Sequence, residues 1–108
     1  MTARLHDLAH CLLEVEAELR KLEWWSEQAP QPAALASREP FCVDTLAFEQ
    51  WLQWVFLPRM HALIEENGAL PQRSAITEMA EIAYMEIPGK TATLRRHLKR
   101  IDRLLGRG

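Results

Sequence analysis

Apolar residues recur every three or four positions near the start of the chain, as they do along one face of an α-helix. The residues of this seam are Leu5, Leu8, Leu12, Val15, Leu19 and Leu22. The spacing predicts a helix from about residue 2 to residue 26. Trp24 and Trp25 fall outside the seam. The proline-rich segment that follows, 28–39, is predicted to be a packed loop, and we expect the two tryptophans to cover it. The alternative is that they form a partly exposed aromatic binding patch.

A second helix is predicted around residues 45–66, where four of the eight phenylalanine, tryptophan and tyrosine residues lie. From Trp51 to Leu57 the only polar side chain is Gln53, which is typical of a helix buried among others. Pro58 removes one backbone hydrogen bond and clashes with the carbonyl of residue 54. We therefore expect a kink near Trp54, or two helices that meet at Leu57 and Pro58.

Turn and cap signals set the expected bounds of the central helix and of two further helices. Asp44 or Thr45 is the expected N-cap of the central helix, which should end at Asn67-Gly68. Ser74 should cap a third helix, which should end at Pro88-Gly89. Thr91 or Thr93 should cap a fourth helix, which should reach about Leu105. The third helix has its apolar positions at Ile76, Met79, Ala80, Ala83 and Ile87, with Tyr84 adjoining, and the fourth at Leu94, Leu98, Ile101, Leu104 and Leu105. The pattern as a whole predicts an all-α, single-domain bundle (residues 1–108) of about four helices with a kinked, tryptophan-rich central helix.

Charge is distributed unevenly along the chain. Residues 1–89 contain 6 basic and 14 acidic residues, whereas residues 90–108 contain 7 basic residues and 1 acidic residue. The last helix carries its cations opposite its apolar stripe, at Arg95, Arg96, Lys99, Arg100, Arg103 and Arg107. This basic face either forms salt bridges with the acidic body or binds the phosphates of a nucleic acid. Membrane binding is disfavoured because the core needs the apolar stripe.

The residue types that carry catalysis or metal binding do not form a recognisable constellation. Gly89-Lys90-Thr91 lacks the earlier glycine and the strand of a phosphate-binding loop, and His6 and His10 are interpreted as a surface pair. Cys11 and Cys42 are expected to be reduced thiols, since nothing else indicates secretion. No stretch has the length of a membrane span or a secretory signal, so the expected compartment is the cytoplasm. We expect no cofactor, no metal and no enzymatic activity.

Short motifs spread along the chain resemble those of the YqcC-like family of small bacterial helical proteins. They are Trp25 with Pro30-Gln31-Pro32, Pro40-Phe41, Asp44-Thr45, the run WLQW at 51–54, the run PRM at 58–60, and Leu70-Pro71. The resemblance implies a compact helical bundle of unassigned function, with no established catalytic residue, often encoded beside a tRNA pseudouridine synthase in proteobacteria. The basic last helix is not attributed to the family pattern.

Three functions are compatible with these observations. The first is an interaction or adaptor module that binds another protein, such as a tRNA-modifying enzyme; its candidate surface, rich in aromatic, proline and arginine side chains, is Trp25, Pro30, Pro32, Phe41, Asp44 and Arg59. The second is an RNA-binding accessory protein that uses the basic face. The third, ranked below them, is a carrier of a small apolar ligand. An enzyme would need His61, Asp44 and Arg59 in one pocket, and the chain is compatible with a monomer or a homodimer.

Overall fold

Every regular element is helical in the part of the chain that the structure, a computed structural model, describes (residues 3–72 and 74–106). The helices are α1 (Ala3–Lys21), α2 (Pro32–Leu35), α3 (Phe48–Trp51), α4 (Leu57–Glu65), α5 (Ile76–Ala83) and α6 (Ala92–Gly106). A 3-10 turn, Pro40–Cys42, precedes α3, and a π-helical turn, Leu52–Phe56, joins α3 to α4. The predicted all-α bundle is confirmed.

Helices α1 and α6 pack as an antiparallel pair along the two predicted apolar stripes. The fully buried members of these stripes are Leu8, Leu12, Val15, Leu19, Leu94, Leu98, Ile101 and Leu105. At one end of the pair, Arg4 donates hydrogen bonds to the carbonyls of Leu104 at 2.7 Å and Leu105 at 3.1 Å. These carbonyls lie in the last turn of α6 and have no partner within the helix, so a cation from α1 completes the end of α6.

The central helix runs without a break from 48 to 65 but widens at its middle. The Leu57 N–H donates to the Leu52 carbonyl, five residues back, instead of four. Pro58 has no N–H to offer the Trp54 carbonyl, so the α-helical register cannot be completed there, and the π-helical turn takes up the defect. The disruption predicted from Pro58 is therefore present. The helix ends as expected, because Gly68 N–H bonds the Leu63 carbonyl at 2.8 Å.

The start of the central helix was predicted wrongly. Neither Asp44 nor Thr45 caps it; the helix begins at Phe48, and the Ala47 N–H donates to the Gln50 side chain at 2.8 Å. Asp44 instead accepts a hydrogen bond from Ser37 Oγ at 2.5 Å, and Thr45 Oγ1 donates to the Ala34 carbonyl at 2.7 Å. Both side chains fasten the preceding loop.

The expected cap of the third helix was also wrong, because the cap comes from another helix. Asp102 of α6 accepts hydrogen bonds from the Thr77 N–H at 2.9 Å and from Thr77 Oγ1 at 2.5 Å. Ser74 donates to the same carboxylate and accepts nothing from the start of α5. Helix α5 ends at Ala83, before the predicted Pro88, because Tyr84 leaves helical geometry with φ −113°.

Helix α1 ends at Lys21, five residues earlier than predicted. Glu23 takes a left-handed φ of 65°, and the Trp24 N–H bonds the Leu19 carbonyl at 2.9 Å, which is the Schellman pattern of a helix end. Trp24 then stacks on Tyr84, at 5.3 Å between ring centroids. The loop that follows contains the short helix α2, where Pro32 is tolerated because it is the first residue.

Candidate functional site

A cluster of aromatic rings joins four separate segments at one end of the molecule. Phe41 of the 3-10 turn lies 4.7 Å from Trp51, and Phe48 of α3 lies 5.8 Å from Tyr84, measured between centroids. Trp24, beyond the end of α1, stacks on the same tyrosine. Edge-to-face and stacked pairs of this kind stabilise by about 1 kcal/mol each beyond the apolar area that they bury. The cluster therefore fixes the relative positions of these segments.

Backbone strain accompanies this cluster. Phe41 and Cys42 both have left-handed φ values, 58° and 49°. A residue with a Cβ pays roughly 1–2 kcal/mol for this conformation, and a bulky ring such as phenylalanine rarely adopts it. The contacts of Phe41 with Phe48 and Trp51 oppose that cost.

Tyr84 has its hydroxyl bonded to a carboxylate inside the cluster. Its Oη donates to Glu49 Oε1 at 3.0 Å. Burial, and then the negative charge of Glu49, raise the pKa of Tyr84 far above its ordinary value of 10.0. The phenol therefore stays protonated at physiological pH and holds the end of α5 against α3.

An open cavity of about 440 Å³ lies beside the cluster, between the segment 43–49 and helix α5. We call it the apolar groove and define it by six of its lining residues: Val43, Leu46, Phe48, Met79, Ile82 and Ile87. Its rim is exposed, at 55% for Val43, 64% for Ile82 and 39% for Ile87, and neighbouring Met85 is 71% exposed. Large apolar side chains gathered in this way mark binding surfaces more often than isolated ones do.

The apolar groove was missed in the sequence, although a signal for it exists. From Ile82 to Ile87 the only polar groups are the Glu86 side chain and the tyrosine hydroxyl. This run has more apolar side chains than a short helix can bury along a single stripe. The third helix was assigned one stripe, and Ile82 and Met85 were left out of it. Val43, between Cys42 and Asp44, has no periodic pattern to identify it.

The six residues predicted to bind a protein are distributed over several places. Phe41 and Arg59 line one cavity of about 280 Å³, together with Trp51. Trp25 lies under the Arg20 guanidinium, 4.7 Å from its ring centroid, and lines a different cavity of about 510 Å³. The remaining three are Asp44, bonded to Ser37, Pro30, half-buried, and Pro32, exposed at the start of α2.

The side chains considered for catalysis are not brought together. Arg59 lines the cavity beside Phe41, His61 lines the cavity beside Trp25, and Asp44 lines neither of these two. Cys42 is buried, and burial raises the pKa of the Cys11 thiol, an effect that the nearby Arg100 partly opposes. A buried protonated thiol is a poor nucleophile.

The basic face of α6 divides into one structural arginine and a set of free cations. Arg95 donates to the Pro88 carbonyl at 2.7 Å and to Thr91 Oγ1 at 3.2 Å, so it holds the turn before the helix. Within residues 3–72 and 74–106, no carboxylate pairs with the other four, which are exposed: Arg96, Lys99, Arg100 and Arg103. Arg107 lies outside the described residues.

Thr91 stands at the start of α6, as predicted, but its side chain does not cap the helix. It is fully buried, and its hydroxyl donates to the Ile87 carbonyl at 2.9 Å.

Of the helices in the described residues, none is both long enough and apolar enough to cross a membrane.

The chain is similar to several bacterial proteins. A family model, DUF446, described as tRNA pseudouridine synthase C, matches residues 7–104. An uncharacterised protein of Haemophilus influenzae is 43% identical over 75 residues, which are 69% of this chain and 71% of that protein. The uncharacterised protein YqcC of Escherichia coli is 35% identical over 100 residues, which cover 92% of each chain.

A longer protein and a solved structure complete the comparison. A protein of Pectobacterium carotovorum named tRNA pseudouridine synthase C is 44% identical over 70 residues, which are 65% of this chain but only 19% of that protein. The solution NMR structure of YqcC from Escherichia coli is similar with a TM-score of 0.84 at 32% identity, over 97% of this chain and 90% of that one. The helical fold is thus shared with an experimentally determined structure.

Proposed function

Because this chain belongs to the YqcC-like family (DUF446), we propose that it is a non-enzymatic interaction module that works with a tRNA pseudouridine synthase. The observation that carries the proposal is the match to the Pectobacterium protein of that name, in which the similar segment is 19% of the length. Most of that protein lies outside the match, so we assign catalysis to the remainder and an accessory role to the part that resembles this chain. Modules joined in one chain act at high effective concentration, and a separate module would have to bind its enzyme.

The scattered positions of possible catalytic groups support a binding role. Arg59 and His61 line different cavities, and burial raises the pKa of the Cys11 thiol. The exposed rim of the apolar groove offers area for a protein partner instead. Burial of such apolar area is the main favourable contribution to most protein–protein association.

The direct test is to mix the purified chain with the purified tRNA pseudouridine synthase of the same bacterium. We expect a complex in isothermal titration calorimetry, and a change in the rate of pseudouridine formation on tRNA when the chain is added. The chain alone should form no pseudouridine. Absence of a complex at micromolar concentrations, or pseudouridine formation by the chain alone, would contradict the proposal.

A second candidate function, RNA binding through the basic face, is favoured by the four cations that form no ion pair with any residue that the structure describes. Arg96, Lys99, Arg100 and Arg103 could each neutralise a phosphate without breaking an existing ion pair. Four neutralised phosphates predict that the logarithm of the association constant falls with the logarithm of salt concentration with a slope of about −3 to −4.

Charge reversal tests this second function. The triple variant Arg96→Glu, Arg100→Glu and Arg103→Glu should lose most of its affinity for tRNA in filter binding, and the salt slope should shrink by about 3. A matched control, Lys21→Glu, Arg38→Glu and Arg59→Glu, makes the same change in net charge at exposed positions elsewhere. Equal loss in both variants would mean that only net charge matters, and would exclude a role for this face.

A further inference from the structure

The apolar groove lies between two walls that carry acidic residues but no lysine or arginine. Residues 39–58, which contain one wall, include Glu39, Asp44 and Glu49 and no basic residue. Residues 74–89, which contain the other wall, include three acidic residues and again no basic one. Lys90, the next cation along the chain, lies over the Trp24 ring at 5.3 Å. Trp24 also lines the groove, so Lys90 is a cation at one edge, and the groove combines an exposed apolar rim with two acidic walls.

This combination selects among possible occupants. A nucleic acid is disfavoured because its phosphates would be repelled by both walls. The basic α6 of a second copy is disfavoured for another reason: its apolar stripe is buried in its own core, at Leu94, Leu98 and Ile101. A helix with an apolar face flanked by lysine or arginine matches both the rim and the charge of the groove.

We propose that the apolar groove binds a basic amphipathic helix, and that this helix belongs to the tRNA pseudouridine synthase; the second part rests on the function proposed above. Apolar side chains of that helix, spaced by one turn, pack between Val43 and Ile82. Its lysine or arginine side chains then face acidic residues such as Glu78 and Glu86, which are exposed and adjoin the lining residues Met79 and Ile87 in the chain.

The chemistry of the groove is tested with synthetic peptides. A fluorescein-labelled 18-residue amphipathic helix of leucine and lysine should bind the full chain in fluorescence anisotropy, and the same helix with glutamate in place of lysine should bind at least tenfold more weakly. Ile82→Glu should weaken the lysine peptide at least tenfold. Leu13→Glu is the matched control, because Leu13 is 59% exposed on α1 outside the groove.

The electrostatic part has its own pair of variants. Glu78→Lys with Glu86→Lys should weaken binding of the lysine peptide several-fold, and Glu65→Lys with Glu66→Lys, exposed at the end of α4, should not. Equal binding of the two peptides, or equal effects of the two charge variants, would overturn the requirement for a basic partner.

The identity of the partner is tested with the purified synthase and the same Ile82 and Leu13 variants. Loss of synthase binding in Ile82→Glu but not in Leu13→Glu supports the whole proposal. Synthase binding that Ile82→Glu leaves intact overturns the groove as the docking site and leaves the proposed function standing. No synthase binding by the wild type overturns the proposed function, while the peptide result still decides what the groove binds. A dimer of the wild type that Ile82→Glu abolishes in sedimentation velocity would overturn the proposal in favour of self-association.

Discussion

The apolar groove and the basic face of α6 differ in what each leaves exposed. In α6 the whole apolar stripe is buried and the exposed surface is almost purely cationic. At the groove, Val43 and Ile82 are exposed although Leu46 and Phe48 are buried, and both walls carry acidic residues. One chain of 108 residues thus presents two surfaces with opposite charge and different apolar content.

Because of this difference, the two surfaces suit partners of different kinds. Burial of apolar area at the groove gives a negative heat-capacity change, and its acidic walls add a moderate dependence on salt, whereas neutralisation of four phosphates at the basic face gives a steep dependence on salt. A partner at the groove should therefore be distinguishable from a partner at the basic face by calorimetry and salt titration alone. We also expect substitutions at one surface to change the free energy of unfolding independently of the other surface.

The largest effect is expected where the groove meets the core. Phe48→Ala removes a buried ring that contacts Phe41, Trp51 and Tyr84, and should lower the free energy of unfolding by about 3–5 kcal/mol. Urea denaturation followed by tryptophan fluorescence measures it. Ile82→Ala, on the exposed rim, should cost less than about 1 kcal/mol. Similar losses for both variants would mean that the exposed rim of the groove and the buried Phe48 form one structural unit.

A second prediction separates structural from free charges on α6. Asp102→Ala removes the acceptor for Thr77 and Ser74 at the start of α5, and should cost about 2–3 kcal/mol in urea denaturation. Reversal of Arg96, Arg100 and Arg103 should change stability by less than about 1 kcal/mol, because these cations have no partner among the described residues. A large loss in the arginine variant would show that the basic face is structural.

Alkaline pH should lower the stability of the folded chain through ionisation of Tyr84. Burial raises the pKa of Tyr84 in the folded chain, so the unfolded chain releases the phenolic proton first. The stability that this tyrosine contributes is complete below pH 10 and falls by about 1.4 kcal/mol per pH unit above it. Tyr84 is the only tyrosine, so the increase in absorbance at 295 nm on phenol ionisation, measured as a difference from the neutral-pH spectrum that contains the four tryptophans, reports Tyr84. Tyr84→Phe should remove this part of the alkaline loss; phenolate absorbance at pH 10 in the folded wild type would contradict the assignment.

The smallest effect is expected at the end of α1, outside both surfaces. Glu23 has a left-handed φ of 65°, a conformation that glycine adopts without steric cost. Glu23→Gly should therefore stabilise the chain by about 1 kcal/mol and leave binding at both surfaces unchanged. Thermal unfolding measures the gain, and Lys21→Gly, within the helix, serves as the opposite control. A destabilised Glu23→Gly variant would refute the left-handed assignment.

Helices α1 and α6 were predictable because their apolar residues follow one period over several turns. Leu8, Leu12 and Leu19 are buried as predicted, and so is the whole stripe of α6. The defect at Pro58 was predictable as well, because a missing N–H is a local chemical fact. The fold class followed from these patterns.

Contacts between residues far apart in the chain were not predictable. Asp102 caps a helix that begins 26 residues before it, and Trp24 stacks on Tyr84, 60 residues later. Local preference assigned Ser74 as the cap, which was wrong, and it gave no indication that Trp24 stacks on Tyr84. The local sequence pattern carries no information about a hydrogen-bond acceptor or an aromatic ring that lies far away along the chain.

The two surfaces were predictable to different degrees. The basic face could be identified from helical periodicity, but whether its cations pair with the acidic body depends on where the body lies. Arg95 proved structural, while Arg96 and Lys99 have no ion pair with a described residue. The apolar groove could be identified only in part, because the apolar run 82–87 is visible in the sequence but no local pattern places Val43 beside Ile82.

The most direct test of the account is a double dissociation, in which Ile82→Glu and the Arg96, Arg100 and Arg103 charge reversal are each titrated with the synthase and with tRNA. The account predicts that Ile82→Glu loses the synthase and keeps tRNA, and that the charge reversal keeps the synthase and loses tRNA. If both variants lose both partners, or neither variant loses either, the chain does not have two separable interaction surfaces.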